Sequence, residues 1–190
     1  MRLPDRLTQQ LIRWTDQVRI HRAPDFRVGE HYLARWYLTP WAGKYRTVEQ
    51  PTRWQRIVRS LPVLYCHAFF ASDDDRALHD HPAASITLVL DGGYWEHVPA
   101  DPDNPAGPTV AHYRQAGDIV IRRAHAPHRI ELPRGVDRCI TLFAFGLRLR
   151  RNEKGERDPR WWGFWCPHGW RHWRKFTDPN DSGQTGRGCD

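Results

Sequence analysis

The sequence predicts an all-β domain, a barrel or a sandwich, with one helix at its N-terminus. Short runs of strand-forming residues recur from residue 31 onward, and turn signals separate them at close spacing. Helical periodicity is confined to residues 4 to about 20. The 190 residues suit one domain, and ten Trp, seven Phe and six Tyr supply apolar area for a core.

The N-terminal helix is predicted from its first turn and its apolar spacing. Pro4 suits a first helical turn, and Asp5 complements the helix dipole. Four apolar residues recur at helical spacing: Leu7, Leu11, Trp14 and Val18. We expect this helix to pack on the outside of the β-structure. The chain is accordingly divided into residues 1–30 (helix and linker), 31–176 (β-domain) and 177–190 (flexible tail).

Strands are predicted where runs rich in β-branched and aromatic residues lie between turn signals. The runs are 32–38, 62–71, 85–90, 94–98, 110–114, 118–122, 128–132 and 138–145. Asp91-Gly92 between two of them predicts a hairpin. Residues 99–109 carry four prolines and predict a surface loop, whereas 51–60 fit either a short helix or a loop.

Composition and charge exclude several classes of protein. No stretch approaches 18 consecutive apolar residues, so a membrane span is not expected. Charged residues rather than an apolar run follow Met1, so no signal peptide is expected and the predicted compartment is the cytoplasm. The four cysteines include no C-x-x-C pair, which suggests neither a zinc ribbon nor a disulfide framework. The net charge of +7 leaves nucleic-acid binding open as an alternative, but all basic residues except three Lys are Arg, a bias that a GC-rich genome also produces.

Three of the eleven histidines form a pattern that indicates a metal site. His79 and His81 lie two residues apart, so on an extended chain both imidazoles face the same way. His128 follows a second turn at Gly117 and a further strand, which a barrel can bring against the first. The acidic run 73–75 nearby fits a solvated loop, or a loop pinned by Arg76.

This pattern resembles the two motifs of the cupin superfamily. The matching positions are His79, His81 and Gly92 in the first motif and Gly117 and His128 in the second. Asp73 and Ser85 replace the glycine and glutamate of the first motif, and Arg123, His125 and Leu132 replace Pro, Gly and Asn of the second. Over residues 31 to 176 the chain is also similar to small cupin-like proteins of bacterial and phage genomes. The resemblance implies a small double-stranded β-helix (jelly-roll) barrel.

The resemblance also implies a mononuclear metal site on His79, His81 and His128. With Ser85 in place of the glutamate, the three ligands are neutral imidazoles, which suit a divalent transition metal. Three-histidine cupins include iron dioxygenases, so Fe(II) is the first expectation, with Zn, Mn or Ni as alternatives. We expect an oxidoreductase acting on a small, anionic molecule. A metal-dependent isomerase, epimerase or lyase and a non-catalytic sugar- or nucleic-acid-binding module are the alternatives, and a homodimer fits the superfamily.

The remaining candidate residues surround these ligands. Tyr94 and Glu96 share a facing after the hairpin and are the candidate acid/base residues, Glu96 also being a candidate ligand. His125 and Ser85 are expected beside the ligands or as an additional ligand. Three arginines are candidates for holding an anionic substrate: Arg122, Arg123 and Arg129. The Trp-rich segment 161–173 is predicted to pack on the outside of the barrel, with a lid or a stacking platform as alternatives.

Overall fold

A computed structural model describes residues 1–29, 31–45, 47–73, 76–158, 160–177 and 186–190. Within these ranges the chain is mostly β, with three helices. The helices are α1 (Asp5–His21), α2 (Arg53–Ser60) and α3 (Trp173–Phe176). The strands are β1 (Phe26–Val28), β2 (Leu33–Tyr37), β3 (Val63–Phe69), β4 (Leu78–His79), β5 (Ser85–Asp91), β6 (Gly93–Pro99), β7 (Thr109–Gln115), β8 (Ile119–Arg122), β9 (Arg129–Glu131), β10 (Cys139–Phe145), β11 (Gly163–Cys166) and β12 (Gly169–His172). None of the helices described has the length and apolar character needed to cross a bilayer.

The strands form three sheets, and no closed barrel is formed among the described residues. The largest has the order β1-β2-β3-β10-β5-β8, and the other two have the orders β12-β11-β4 and β7-β6-β9. An antiparallel bridge between His79 and His128 links the two small sheets, because His128 directly precedes β9. The predicted hairpin at Asp91-Gly92 is not formed, because β5 and β6 pair with strands of different sheets: β5 with β10 and β8, and β6 with β7 and β9. Gly92, at the turn between them, has φ 71°, a conformation that favours glycine.

Buried apolar clusters lie on both faces of the six-stranded sheet. Its inner face meets the β6 and β9 strands, where Tyr94 and Ile130 join one buried cluster with Phe69, Val89 and Cys139. The outer face carries a second apolar cluster, against which α1 packs. The helix therefore lies against the face of the six-stranded sheet that is turned away from β6 and β9.

The buried face of α1 matches the predicted one only in part: Leu11 and Val18 pack against the sheet. Leu7 and Trp14 are 47% and 45% exposed, whereas Thr8 and Thr15 are buried. The two threonines can be buried because each hydroxyl donates to a nearby backbone carbonyl. The Thr8 hydroxyl donates to Pro4 O at 3.2 Å, and the Thr15 hydroxyl donates to Ile12 O at 3.0 Å. The apolar pattern predicted the helix correctly, but two of its four residues, Leu7 and Trp14, face away from the sheet.

The Trp-rich segment forms a β-hairpin, which the sequence did not predict. β11 and β12 pair with each other, and β11 also pairs with β4, so that Phe164 lies opposite His79. Gly163 begins this hairpin at a close approach: a Cβ there would lie 2.1 Å from the carbonyl oxygen of Arg171. The segment is therefore part of a sheet beside the histidines rather than a strap on the outer surface.

A disulfide joins Cys166 of β11 to Cys189 near the chain end, so the expectation that these cysteines form no disulfide is wrong. Of the predicted tail, residues 178–185 lie outside the described residues. The last five residues are held: Gly188 N–H donates to Phe176 O at 3.0 Å, and Arg76 Nη1 donates to Gly186 O at 2.8 Å. Cys66 and Cys139 are buried free thiols.

Removing this disulfide should destabilise the oxidised protein. Cys189→Ser opens a loop that spans 23 residues of sequence separation, and we expect the free energy of unfolding to fall by about 3 kcal/mol. Urea denaturation of both proteins, with and without a reductant, measures this. The difference should disappear under reduction, and a difference that persists unchanged would contradict the assignment.

Candidate metal centre

The H-x-H segment presents two imidazoles to the same side of a short strand. Successive side chains of an extended chain alternate, so His79 and His81 face inward while Asp80 between them faces β11. Asp80 Oδ1 accepts hydrogen bonds from Gly163 N–H (2.9 Å) and Arg150 Nη1 (2.9 Å), and its Oδ2 accepts one from Trp170 Nε1 (3.0 Å). The prediction that Asp80 points away and has a structural role is confirmed.

His128 reaches the same place through a backbone pairing. Its N–H donates to His79 O, and His79 N–H donates to His128 O, each at 2.9 Å. His81 N–H is fixed separately, at 3.0 Å from Ala124 O. The two parts of the chain that carry the predicted ligands are therefore held side by side.

The three imidazoles converge. Ring centroids lie 5.2 Å apart for His79 and His81, 4.7 Å for His79 and His128, and 4.9 Å for His81 and His128. The Nε2 atoms of His81 and His128 are 3.3 Å apart, and one ring nitrogen from each of the three lies within 4.8 Å of the others. The sequence correctly grouped these three side chains.

Electrostatics keep two of these imidazoles neutral. Burial lowers the pKa of His81 well below its usual range, and electrostatic interactions with His79 and Arg122 lower this pKa further. Burial and Arg122 lower the pKa of His128 in the same way. A neutral imidazole has a lone pair to share, so the donor set fits a transition metal ion and does not suit Mg²⁺ or Ca²⁺.

Asp73 is a residue beside the centre whose contact with it the sequence did not reveal. Its Oδ2 lies 3.7 Å from His79 Nδ1 and accepts a hydrogen bond from Ile130 N–H at 2.6 Å, while Oδ1 accepts from the Tyr32 hydroxyl. A carboxylate beside Nδ1 orients a histidine whose Nε2 is to bind a metal. Asp74 and Asp75, the rest of that acidic run, lie outside the described residues.

The candidate acid/base residues are held in a buried polar cluster. Glu96 is 1% exposed and forms ion pairs with Arg122 and with Arg114, the latter at 2.7 Å. Tyr94 is fully buried, and burial raises the pKa of its phenol, which Arg122 contacts. Neither belongs to the group of three histidines, so Glu96 as a metal ligand is not supported by the geometry.

The remaining predicted residues separate into near and distant ones. Ser85 is buried, and its hydroxyl has no hydrogen-bond partner among the described residues. Arg122 is buried and its charge acts on His128. His125 and Arg123 are exposed, and Arg129 pairs with Glu131 at 3.4 Å. Of the three predicted substrate-binding arginines, only Arg122 is therefore placed near the histidines by these contacts.

Solved structures similar to this chain are cupin superfamily and double-stranded β-helix proteins. A cupin superfamily protein from Desulfitobacterium hafniense is 13% identical over 64% of this chain and 84% of that chain, with a TM-score of 0.39. A protein with a double-stranded β-helix domain from Klebsiella pneumoniae is 15% identical over 73% and 88%, with a TM-score of 0.41. Fe(II)-HppE crystallised with an alternative substrate is 15% identical over 60% of this chain, with a TM-score of 0.41. The chain spans about half (49%) of that HppE chain. No protein-family model matches the sequence, and no curated protein matches it.

Replacing Asp80 should destabilise the fold strongly. Asp80→Asn removes the buried partner of Arg150 and turns one acceptor atom into a donor facing other donors, so we expect a loss of about 3 kcal/mol or more of unfolding free energy. The control is Asp91→Asn, in a half-exposed pair 3.6 Å from Arg138, which should change stability by less than about 0.5 kcal/mol. Equal effects of the two substitutions in urea denaturation would contradict the role assigned to Asp80.

Proposed function

We propose that this chain is a metal-dependent oxygenase of the cupin type that binds one Fe(II) ion through His79, His81 and His128 and acts on a small molecule. The observation that carries the proposal is the convergence of three imidazoles from two distant segments, with one nitrogen of each within 4.8 Å of the others. We further propose that the six-stranded sheet and the two small sheets are the layers of a double-stranded β-helix, with the substrate between them.

The donor set favours a redox-active transition metal with open coordination positions. Three neutral nitrogen ligands leave part of an octahedral shell for small molecules, and Ser85 stands where a carboxylate would have filled one position. Bound Fe(II) would supply one-electron and O₂ chemistry. The chain itself contributes the ligands, the carboxylate of Asp73 beside His79, and the apolar rings around the centre, Phe143 and Phe145 near His81.

The carboxylates around the centre favour an oxygenase over an isomerase or lyase. Acid–base catalysis needs a side chain that can reach the substrate and exchange a proton with it. The three carboxylates described near the histidines already serve other groups: Asp73 binds Tyr32 and Ile130 N–H, Asp80 binds Arg150, and Glu96 binds two arginines. Oxygen chemistry at a metal does not require a protein acid or base of this kind.

Elemental analysis tests the metal site directly. Protein purified without a metal-chelating tag should contain one equivalent of a transition metal, and His128→Ala should lose nearly all of it because two imidazoles bind much more weakly than three. His97→Ala is the matched control, since His97 pairs with Glu131 at 2.8 Å and lies outside the group of three. Full metal retention in His128→Ala, or loss in both variants, would contradict the site.

The reaction class is tested by oxygen consumption. Protein loaded with Fe(II) should consume O₂ with at least one member of a panel of small thiols and carboxylic acids, and His128→Ala should not. Turnover of the panel under argon, with Zn²⁺ or Mn²⁺ in place of iron, would overturn the oxygenase assignment in favour of the isomerase or lyase alternative.

A further inference from the structure

A row of polar residues crosses the inner face of the six-stranded sheet. Arg35 of β2 is directly opposite His67 of β3, and His67 is directly opposite Thr141 of β10. Residues opposite each other on one face of antiparallel strands have Cβ atoms about 5 Å apart. The side chains of this row therefore lie close enough to bind a common group.

Arg35 determines which nitrogen of His67 carries the proton. Arg35 Nε donates to His67 Nε2 at 2.8 Å, and a guanidinium has no acceptor, so Nε2 must present its lone pair. Burial and the charge of Arg35 lower the pKa of His67 well below its usual range, which keeps the ring neutral. The single ring proton therefore lies on Nδ1, which is buried and has no hydrogen-bond partner among the described residues.

Thr141 provides a second donor of the same kind. Its side chain is 0% exposed, and its hydroxyl has no hydrogen-bond partner within the described part of the chain. The β-ladder between β10 and β5 is irregular between Ile140 and Thr141, and such bulges often re-aim a side chain near a binding site. Leaving two adjacent buried donors unbonded is costly, so an acceptor is expected to bind both.

This donor pair lies one aromatic ring away from the candidate metal centre. Phe143 stacks on His67 with centroids 5.1 Å apart, and the same ring is 5.6 Å from the ring of His81. A ligand bound by His67 and Thr141 would have to fit between the six-stranded sheet and the small sheets. To reach His81 it would have to extend beyond the ring of Phe143.

We propose that His67 Nδ1–H and the Thr141 hydroxyl bind the carboxylate of a small organic acid, whose other end reaches the three histidines. The identification of this acid as the substrate rests on the proposed function. Two donors side by side match the two oxygens of a carboxylate, and the positive charge of Arg35 favours an anion. This assignment replaces two of the predicted arginines, because Arg122 binds Glu96 and Arg129 binds Glu131.

Thermal shift and calorimetric titration with a carboxylate series test the proposal. The probes are straight-chain acids from acetate to hexanoate, the corresponding primary amides, and inorganic phosphate, each added to metal-free and to metal-loaded protein. We expect at least one carboxylate to raise Tm and to bind at least tenfold more tightly than its amide. Thr141→Val should weaken that carboxylate about tenfold or more, because it removes a donor to a charged acceptor while keeping the side-chain volume.

The matched control is Thr15→Val, another fully buried threonine, on the opposite side of the six-stranded sheet in α1. It should leave carboxylate affinity unchanged. Equal losses in the two variants, phosphate binding in place of carboxylate binding, or no response to any acid would each overturn the proposal. Carboxylate binding to protein that takes up no metal would support this site and count against the proposed function, whereas metal uptake with no carboxylate response would do the reverse.

A spectroscopic measurement stays informative even if Thr141→Val does not fold. Nitrogen-15 NMR of the wild-type histidines should show His67 as the neutral tautomer protonated at Nδ1, and the addition of the best-binding acid should shift the Nδ1 resonance. A proton on Nε2, or a resonance that a saturating acid leaves in place, would contradict the donor assignment.

Discussion

The buried carboxylate of Asp80 is the constraint on which the candidate metal centre depends. A charge withdrawn from water is tolerated only with partners, and Asp80 receives hydrogen bonds from Gly163, Trp170 and Arg150. Because side chains alternate along an extended segment, fixing Asp80 outward fixes His79 and His81 inward. The β11–β12 hairpin thus supports the two histidines from the side opposite their rings, and Arg150 reinforces this by donating to His81 O at 2.9 Å as well.

The same principle organises the interior between the layers. The outer face of the six-stranded sheet is apolar and covered by α1, whereas buried charges gather on the inner side. Glu96 with Arg122 and Arg114, Asp73 with Tyr32, and Arg35 with His67 are three such groups. An ion pair as buried as that of Glu96 and Arg122 contributes little net stability, so the apolar clusters rather than these polar groups stabilise the fold.

The sequence predicted the elements that have local signals. Asp91-Gly92 predicted the turn between β5 and β6, but not that these two strands enter different sheets. The H-x-H spacing with His128 predicted the histidine group. The two-residue strand β4 and the hairpin of β11 and β12 show no alternation of apolar and polar residues from which a strand could be predicted. They are stabilised by the pairing of β11 with β4. The disulfide between Cys166 and Cys189 was equally invisible, since a single pair of cysteines has no characteristic spacing.

The contacts of Asp73, Glu96 and Thr141 could not be predicted from the sequence for a related reason. Each depends on a residue from a distant part of the chain. An alternating strand pattern says that Glu96 faces one side, but not that Arg122 of another sheet faces it. This pairing changes the electrostatics of the whole interior. Three imidazole ligands would leave the charge of a divalent ion uncompensated. Glu96 is already neutralised by two arginines, whereas Asp73 lies 3.7 Å from His79 Nδ1. On the proposed function, such an interior gains most from an anion brought by the substrate. The serine at position 85, where the cupin motif has a glutamate, and the proposed donor pair of His67 and Thr141 then have one explanation.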